Sequence, residues 1–267
     1  MKFLKWIKGN YHKWIADRFK QGLLSQNPIT TIDPDHFPDS LTDPDAYYQR
    51  AFQDFHRNLP AELRAHRAYF GVDRRGFGED AFHTMWWQLV QRFKPKSFLE
   101  IGVYRGQVVS LIALLSKLDG NHCEITGISP FSSAGDSVSC YRNDVDYRLD
   151  TLSHFRHFGL PEPALVNAYS SDPEALAVIE SRQWDMIYID GNHDYDIVLK
   201  DWEACSKAVK PGGIIILDDS GLSTSYQPPA FATGGHPGPS RLASEIDPGQ
   251  FQEILQVGHN RVFQHRL

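Results

Sequence analysis

Two short segments of this 267-residue chain concentrate residues that can do chemistry. One is Ile187-Tyr188-Ile189-Asp190-Gly191-Asn192-His193-Asp194-Tyr195, an apolar run that breaks into an acid, a glycine and a histidine. The other is Lys210-Pro211-Gly212-Gly213, followed by Ile214-Ile215-Ile216-Leu217 and the pair Asp218-Asp219. Short β-branched runs bounded by turn residues read as buried strands, so all three acids fall at strand ends. On neighbouring strands, Asp190 comes beside Asp218 and Asp219. Three carboxylates at one sheet edge repel one another unless a cation, protons or water relieve them. Hard oxygen donors suit Mg²⁺, Mn²⁺ or Ca²⁺. Solvated strand-end acids or helix N-caps would give the same residue types. His193, three residues past Asp190, stands out by position, though a surface histidine at a helix start would look alike.

A third segment, Phe98-Leu99-Glu100-Ile101-Gly102-Val103-Tyr104-Arg105-Gly106, lies where a strand turns into a helix. Gly102 would let backbone approach a ligand closely, and Gly106 would permit tight packing as the helix starts. The spacing is not the dinucleotide fingerprint G-x-G-x-x-G, which opposes a dehydrogenase. No G-K-[ST] follows, so it is not a Walker loop either.

The elements that must hold these segments alternate. Apolar runs at 97–103, 124–128, 164–167, 185–189 and 213–217 read as strands. Helical patterns at 108–118, 147–158, 173–181 and 195–209 separate them. Strands alternating with helices imply a parallel sheet covered on both faces, with ligands at the carboxyl ends of the strands. Two further strand-like runs, 251–257 and 261–265, flank Gly258-His259-Asn260 and read as an antiparallel hairpin. Residues 220–240, rich in Gly, Pro and Ser, fit a lid over the strand ends. His236 there reads as an ordinary loop histidine.

This pattern, a five-strand α/β run closed by a terminal antiparallel hairpin, resembles the class I methyltransferases. The pairing of I-D-G-x-H with P-G-G-x-x-x-x-D-D is similar to that of the divalent-metal-dependent O-methyltransferases acting on sugars of natural products and surface glycans. The resemblance spans residues 98–219. It implies a doubly wound, mostly parallel, seven-stranded Rossmann-like sheet with S-adenosylmethionine as methyl donor. Glu100, Gly102, Gly106 and Asp190 would line the cofactor site. Asp190, Asp218 and Asp219 would hold the metal, Mg²⁺ by preference, and His193 would be the general base. The acceptor would be a hydroxyl of a small polar molecule, a sugar or glycan. One position departs from the family. The second strand usually ends in an acid that bonds the ribose hydroxyls, and here Ser129 stands in that place. A serine cannot offer a bidentate carboxylate. Asp136 is a nearby substitute. A non-catalytic methyltransferase-like module is the rival reading that Ser129 keeps open.

Upstream of the methyltransferase-like region, residues 97–267, the chain divides into three. Residues 1–24 pattern as an amphipathic helix, with Phe3, Leu4, Ile7, Tyr11, Trp14, Ile15 and Phe19 on one stripe. Lys2, Lys5, Lys8, Lys13, Arg18 and Lys20 cover the rest. Such a stripe docks on its own domain or a second subunit, or lies on an anionic inner membrane. Residues 25–46 hold Pro28, Pro34, Pro38 and Pro44 among aspartates, and read as a linker or extended wrap, not a helix. Residues 47–96 return to helical patterning. The net charge of −6 argues against general electrostatic binding of nucleic acid. Cys123, Cys140 and Cys205 are too far apart for a zinc site and read as reduced thiols, hence a cytoplasmic chain. No apolar run reaches the roughly 20 residues of a membrane span.

Overall fold

The computed structural model describes residues 2–27, 31–136, 138–139 and 141–267, with side chains from residue 14 onward. Phe3, Leu4, Ile7, Tyr11 and the lysines at 2, 5, 8 and 13 therefore lie outside the described side chains. Pro28 and Cys140 lie outside the described residues altogether.

Seven strands among the described residues form one sheet in the order β3-β2-β1-β4-β5-β7-β6. They are β1 (Ser97–Ile101), β2 (Glu124–Ser129), β3 (Ala164–Asn167), β4 (Trp184–Ile189), β5 (Val209–Leu217), β6 (Phe251–Val257) and β7 (Asn260–His265). The first five are parallel; β7 runs antiparallel to both β5 and β6. This is the Rossmann-like methyltransferase architecture with its antiparallel C-terminal strands.

Alternation along the central strands builds two cores, since successive side chains point to opposite faces. Phe98, Met186, Tyr188, Ile214 and Ile216 face one layer, packed with Trp86 and Leu89 of α5 (Asp80–Phe93) and Leu111 and Leu115 of α6 (Gln107–Leu118). Leu99, Ile101, Ile187, Ile189, Ile215 and Leu217 face the other, against Val198 and Trp202 of α9 (Tyr195–Ala208). Two flanking helices, α7 (Tyr147–His157) and α8 (Pro173–Glu180), complete the α/β run. Truncating a side chain such as Ile216, which is fully buried, to alanine would cost about 2–5 kcal/mol.

The same parity places chemistry. Glu100, Asp190 and Asp218 continue the series of Phe98, Tyr188 and Ile216, so all three belong to the face that carries the N-terminal helices.

That region consists of α1 (Lys2–Ser25), α2 (Phe37–Thr42), α3 (Pro44–Arg57), α4 (Ala61–Phe70) and α5. The end of α1 docks on α3: Gln53 Nε2 donates to the Leu23 carbonyl at 2.9 Å, and the Arg57 guanidinium donates to the Leu24 and Gln26 carbonyls. The segment expected to be extended, 25–46, is a correction. It contains a 3-10 turn at Pro34–His36, then α2, and α3 begins at Pro44. Pro34, Pro38 and Pro44 each sit in a first helical turn, where no backbone N–H is needed. Asp33 and Asp43 cap those turns, accepting from the N–H groups of Asp35 and Ala46. Here α2 covers β6, the sheet's edge strand: Ser40 Oγ accepts the Gln256 N–H at 2.9 Å. The expected lid is shortened for the same reason, because Pro237 opens α10 (Pro237–Glu245) with His236 before it.

No helix among the described residues is long and apolar enough to cross a membrane.

Candidate active site

The parallel register carries on past the strand ends. Asp190 N–H donates to the Ile101 carbonyl at 2.8 Å, and Asp218 N–H to the Ile189 carbonyl at 3.0 Å. Asp190 and Asp218 thus stand side by side and are hydrogen-bonded through their carboxyls. Burial, then the Asp218 charge, pushes the Asp190 carboxyl well above the usual range. Burial opposes ionisation of Asp218 too, but the His259 imidazole outweighs it and holds that carboxyl low. The two carboxyls titrate as a pair, and their mutual repulsion in a buried site favours a shared proton. Glu100 beside them is pushed up to about 8, by burial first and by Asp218 in addition, and one of its oxygens is buried without a partner.

Asp219 does not follow the strand. Its φ of 50° is left-handed, which swings its carboxylate out of register with Asp218. One oxygen accepts from His193 Nε2 at 2.9 Å and lies 3.8 Å from His236 Nε2; the other lies 3.9 Å from His259 Nε2. Two groups of side chains could each gather around a cation: Asp218, Asp219 and His259; and His193, Asp219 and His236. The expected trio Asp190, Asp218 and Asp219 does not form one such group among the described residues. Asp190 is engaged with Asp218, and Asp219 turns toward the histidines. Asp218 Oδ1 is buried without a hydrogen bond. Its near neighbour is His259 Nε2 at 3.3 Å, and a buried carboxylate oxygen beside an imidazole nitrogen and a second carboxylate fits a divalent cation.

His193 is where the sequence placed it, but its surroundings differ. Its Nδ1 meets Asp136 Oδ2 at 2.5 Å, and its backbone N–H donates to the same oxygen at 2.9 Å. Burial disfavours the imidazolium, but the bonds to Asp219 and Asp136 prevail and raise His193 to about 9. It is cationic at neutral pH in this arrangement, the opposite state to a general base. Asp136 gives its other oxygen to Ser139, from both N–H and Oγ. Asp136 therefore positions His193 and is not a substitute ribose ligand.

A cavity of about 670 Å³ joins these groups to the first glycine turn. Glu100, Gly102, Asp190 and His193 line it; Gly106 and Ser129 do not. Both glycines serve packing. A Cβ on Gly102 (φ 101°) would fall 1.9 Å from the Asp190 carbonyl oxygen, and one on Gly106 (φ 79°) 2.6 Å from Thr151 Cγ2. Gly102 lets β1 turn across the end of β4. Ser129 is buried and its Oγ faces the Phe131 N–H. On that side of the cavity stand aromatic rings instead. Tyr104 packs against Phe77 at 5.2 Å and Tyr141 at 5.5 Å between centroids, and Phe77 is 64% exposed. The Tyr104 hydroxyl is buried without a partner.

The opposite wall comes from the N-terminal helices and the 220–236 segment. Asp80 is held by His56 at 2.9 Å, Arg67 at 3.0 Å and Lys20 at 3.7 Å. Tyr48 donates to Glu79 at 2.5 Å. Phe231 packs on Phe19 of α1, so the docked helix supports the cavity's rim.

Residues 99–220 match the model of a family described as a methyltransferase domain. Solved structures share this segment's fold. The SAH-bound methyltransferase PaMTH1 of Podospora anserina superposes with a TM-score of 0.56 at 15% identity, over 80% of this chain and 92% of that one. An O-methyltransferase from Bacillus cereus in complex with SAH gives 0.53 at 16% identity, over 84% and 98%. At these identities the likeness concerns fold. Among curated sequences, protein R132 of Acanthamoeba polyphaga mimivirus, itself uncharacterized, is 25% identical over 157 residues. That match spans 58% of this chain and 62% of the relative, less than two thirds of its length.

Three residues of the candidate site have roles that the sequence did not show. Asp136 was read as a candidate ribose ligand and in the structure bonds His193, His236 was read as an ordinary loop histidine, and His259 was seen only as part of a turn. The signal for His259 was the pairing of a histidine with glycine in a two-residue loop beside the strand that ends in Asp218-Asp219.

Proposed function

We propose that this chain transfers a methyl group from S-adenosylmethionine to a hydroxyl of a small polar acceptor, a sugar or glycan, with a divalent cation at Asp218 and Asp219. The observation that carries the reading is the single cavity running from Glu100 and Gly102 to the Asp218-Asp219 cluster. A methyltransferase domain match over the same segment and the SAH-bound structures of like fold support it. With Ser129 outside the cavity, Tyr104 and Tyr141 would hold the adenosine half of the donor. Their rings offer stacking surface in place of a carboxylate. The neutral Glu100 carboxyl and the Tyr104 hydroxyl are the unpartnered polar groups available to it.

Asp218 and Asp219 would hold the cation, which would supply charge that lowers the pKa of an acceptor hydroxyl and offsets the Asp219 carboxylate. The protein's own groups do the rest. Asp136 holds the Nδ1 proton of His193 and fixes its ring. With Asp219 engaged by a cation, the imidazolium would lose one of its two carboxylate partners and release its Nε2 proton to solvent more readily, leaving Nε2 of the ring held by Asp136 to accept the proton of the acceptor hydroxyl. Asp190, sharing a proton with Asp218, steadies it. The cavity walls align donor and acceptor for in-line displacement at the methyl carbon.

Calorimetry with S-adenosylmethionine, followed by transfer of a labelled methyl to a panel of sugars with and without chelator, tests this reading. Binding, and transfer that chelation abolishes, is the expected result. No binding of the donor would leave a non-catalytic module; transfer indifferent to exhaustive chelation would remove the cation.

A further inference from the structure

We propose that His259 is a metal ligand. The centre is then a mixed nitrogen–oxygen site of Asp218, Asp219 and His259 that prefers a first-row transition ion to Mg²⁺. The proposal deepens the cation of the preceding reading and rests on it for the cation's presence. Its geometry is independent of methyl transfer.

Topology brings the residue there. β7 lies antiparallel to β5, pairing Leu217 with Arg261, so the loop that opens β7 falls beside the residues that leave β5. That loop is Gly258-His259, closed by the Val257–Asn260 pair, with Gly258 at φ 60°. The backbone is fastened in place. Ser220 N–H donates to the His259 carbonyl at 2.8 Å, and Ser220 Oγ donates toward both the His259 and Leu217 carbonyls, at 3.2 and 2.8 Å. One side chain thus ties the histidine loop to the turn that carries Asp218-Asp219.

The ring is fixed as well. Nδ1 donates to the Thr233 carbonyl at 3.0 Å, and Phe82 packs edge-on at 4.9 Å. With Nδ1 committed, Nε2 points at the acids, 3.3 Å from Asp218 Oδ1 and 3.9 Å from Asp219 Oδ1. A histidine whose second nitrogen is bonded to a backbone carbonyl is the usual arrangement of a ligating imidazole, since that bond sets its orientation and raises its basicity. The three donor atoms lie within 4.8 Å of one another. Metal–ligand bonds of about 2.0–2.2 Å need them only slightly closer. The oxygen nearest Nε2, Asp218 Oδ1, is buried and faces the imidazole at 3.3 Å, a contact that a shared cation would replace.

Donor chemistry then selects the ion. Mg²⁺ takes an octahedron of oxygens and retains water, whereas imidazole beside carboxylates suits Mn²⁺, Fe²⁺, Co²⁺, Ni²⁺ or Zn²⁺, with affinity rising along the series to nickel.

The test uses the full chain, stripped with chelator and free of methyl donor, titrated with Co²⁺ and with Mg²⁺ by calorimetry and visible absorption. One equivalent of Co²⁺ should bind more tightly than Mg²⁺ and give ligand-field bands. Loss of an outer-shell partner of a ligand costs about 10–100-fold in metal affinity, so removing the ligand itself in His259→Gln should weaken Co²⁺ by about 100-fold or more. Asp190→Asn, whose amide can still donate to Asp218, should weaken Co²⁺ far less than His259→Gln does. Should His259→Gln fail to fold, pulsed EPR of Mn²⁺ in the unaltered protein decides: a nitrogen coupling is expected, and it should persist in His193→Gln. Tighter binding of Mg²⁺, parental Co²⁺ affinity in folded His259→Gln, or no nitrogen coupling would each overturn the proposal. A nitrogen-ligated ion in a chain that binds no S-adenosylmethionine would uphold it and sink the methyl-transfer reading instead.

Discussion

The ends of β4 and β5 and the ends of β2 and β3 belong to one sheet but have diverged in chemistry. At β4 and β5 the backbone delivers Asp190, Asp218 and Asp219, and loops return His193, His236 and His259 to meet them. At β2 and β3 the last residues are Ser129 and Asn167, and Ser129 is turned away from the cavity. The half of the site that would act on the acceptor is therefore dense in charge. The half that would hold the donor is aromatic, and Arg105, which lines it, is paired with Asp150. A carboxylate gripping ribose and a ring stacking on a base are alternative ways of holding a nucleoside, and this chain has the materials for the second.

The comparison breaks most severely at Asp219, which touches three histidines. Asp219→Asn should lower methyl transfer by about 10²–10⁴-fold, the range expected when a proton-transfer group loses its setting. It should also let His193 titrate well below 9 in the metal-free protein, as followed by NMR. A parental rate in this variant would mean that the charged half of the site is structural.

Protonation gives the next largest effect. In the chelated protein, His193 and His259 are raised to about 9 and about 10. Groups raised on folding add stability that is complete below their unfolded value, about 6.5, and lost as pH climbs through the folded one. Glu100, raised to about 8, acts in the same direction from about 4.5 upward. Urea midpoints of chelated protein should therefore fall between pH 6 and 10, by the equivalent of about 1–3 kcal/mol. Saturating metal should flatten the fall. A midpoint that rises over this interval would contradict the ion-pair geometry.

On the other side of the sheet the effects are smaller. Tyr104→Ala should weaken S-adenosylhomocysteine about tenfold by calorimetry, matching an aromatic contact of roughly 0.5–1.5 kcal/mol. Ser129→Ala should change it less than about twofold, because a group outside the cavity has little to lose. Equal losses in the two variants would restore Ser129 to the donor site.

Much of this was readable beforehand. Strand parity at Phe98, Tyr188 and Ile216 follows from sequence alone, and with it the shared face of Glu100, Asp190 and Asp218. What was hidden is tertiary. No local pattern reveals that the turn after Leu217 flips Asp219 to a left-handed conformation, or that Asp136 reaches His193 across 57 residues. His259 needed the register of β7 on β5 before it meant anything. The prolines misled for a local reason. At Pro34, Pro38, Pro44 and Pro237 the same residue that breaks a helix interior opens a first turn, and only the packing that follows tells the two apart.

Strand order also sets a sequence of events in time. β7 is made after β6 yet lies between β6 and β5, so β6 cannot dock first without leaving a gap for its successor. The hairpin closes through a two-residue loop and would form locally, within microseconds, then add to β5 as a unit. His259, 39 residues downstream of Ser220, arrives at the acids in that last step. Until then Asp218 and Asp219 face one another without their buried imidazole. If the parallel half assembles first, Asp219 already has His193 but Asp218 still lacks its imidazole, and joining the hairpin would supply it and seal the edge of β5 in one event.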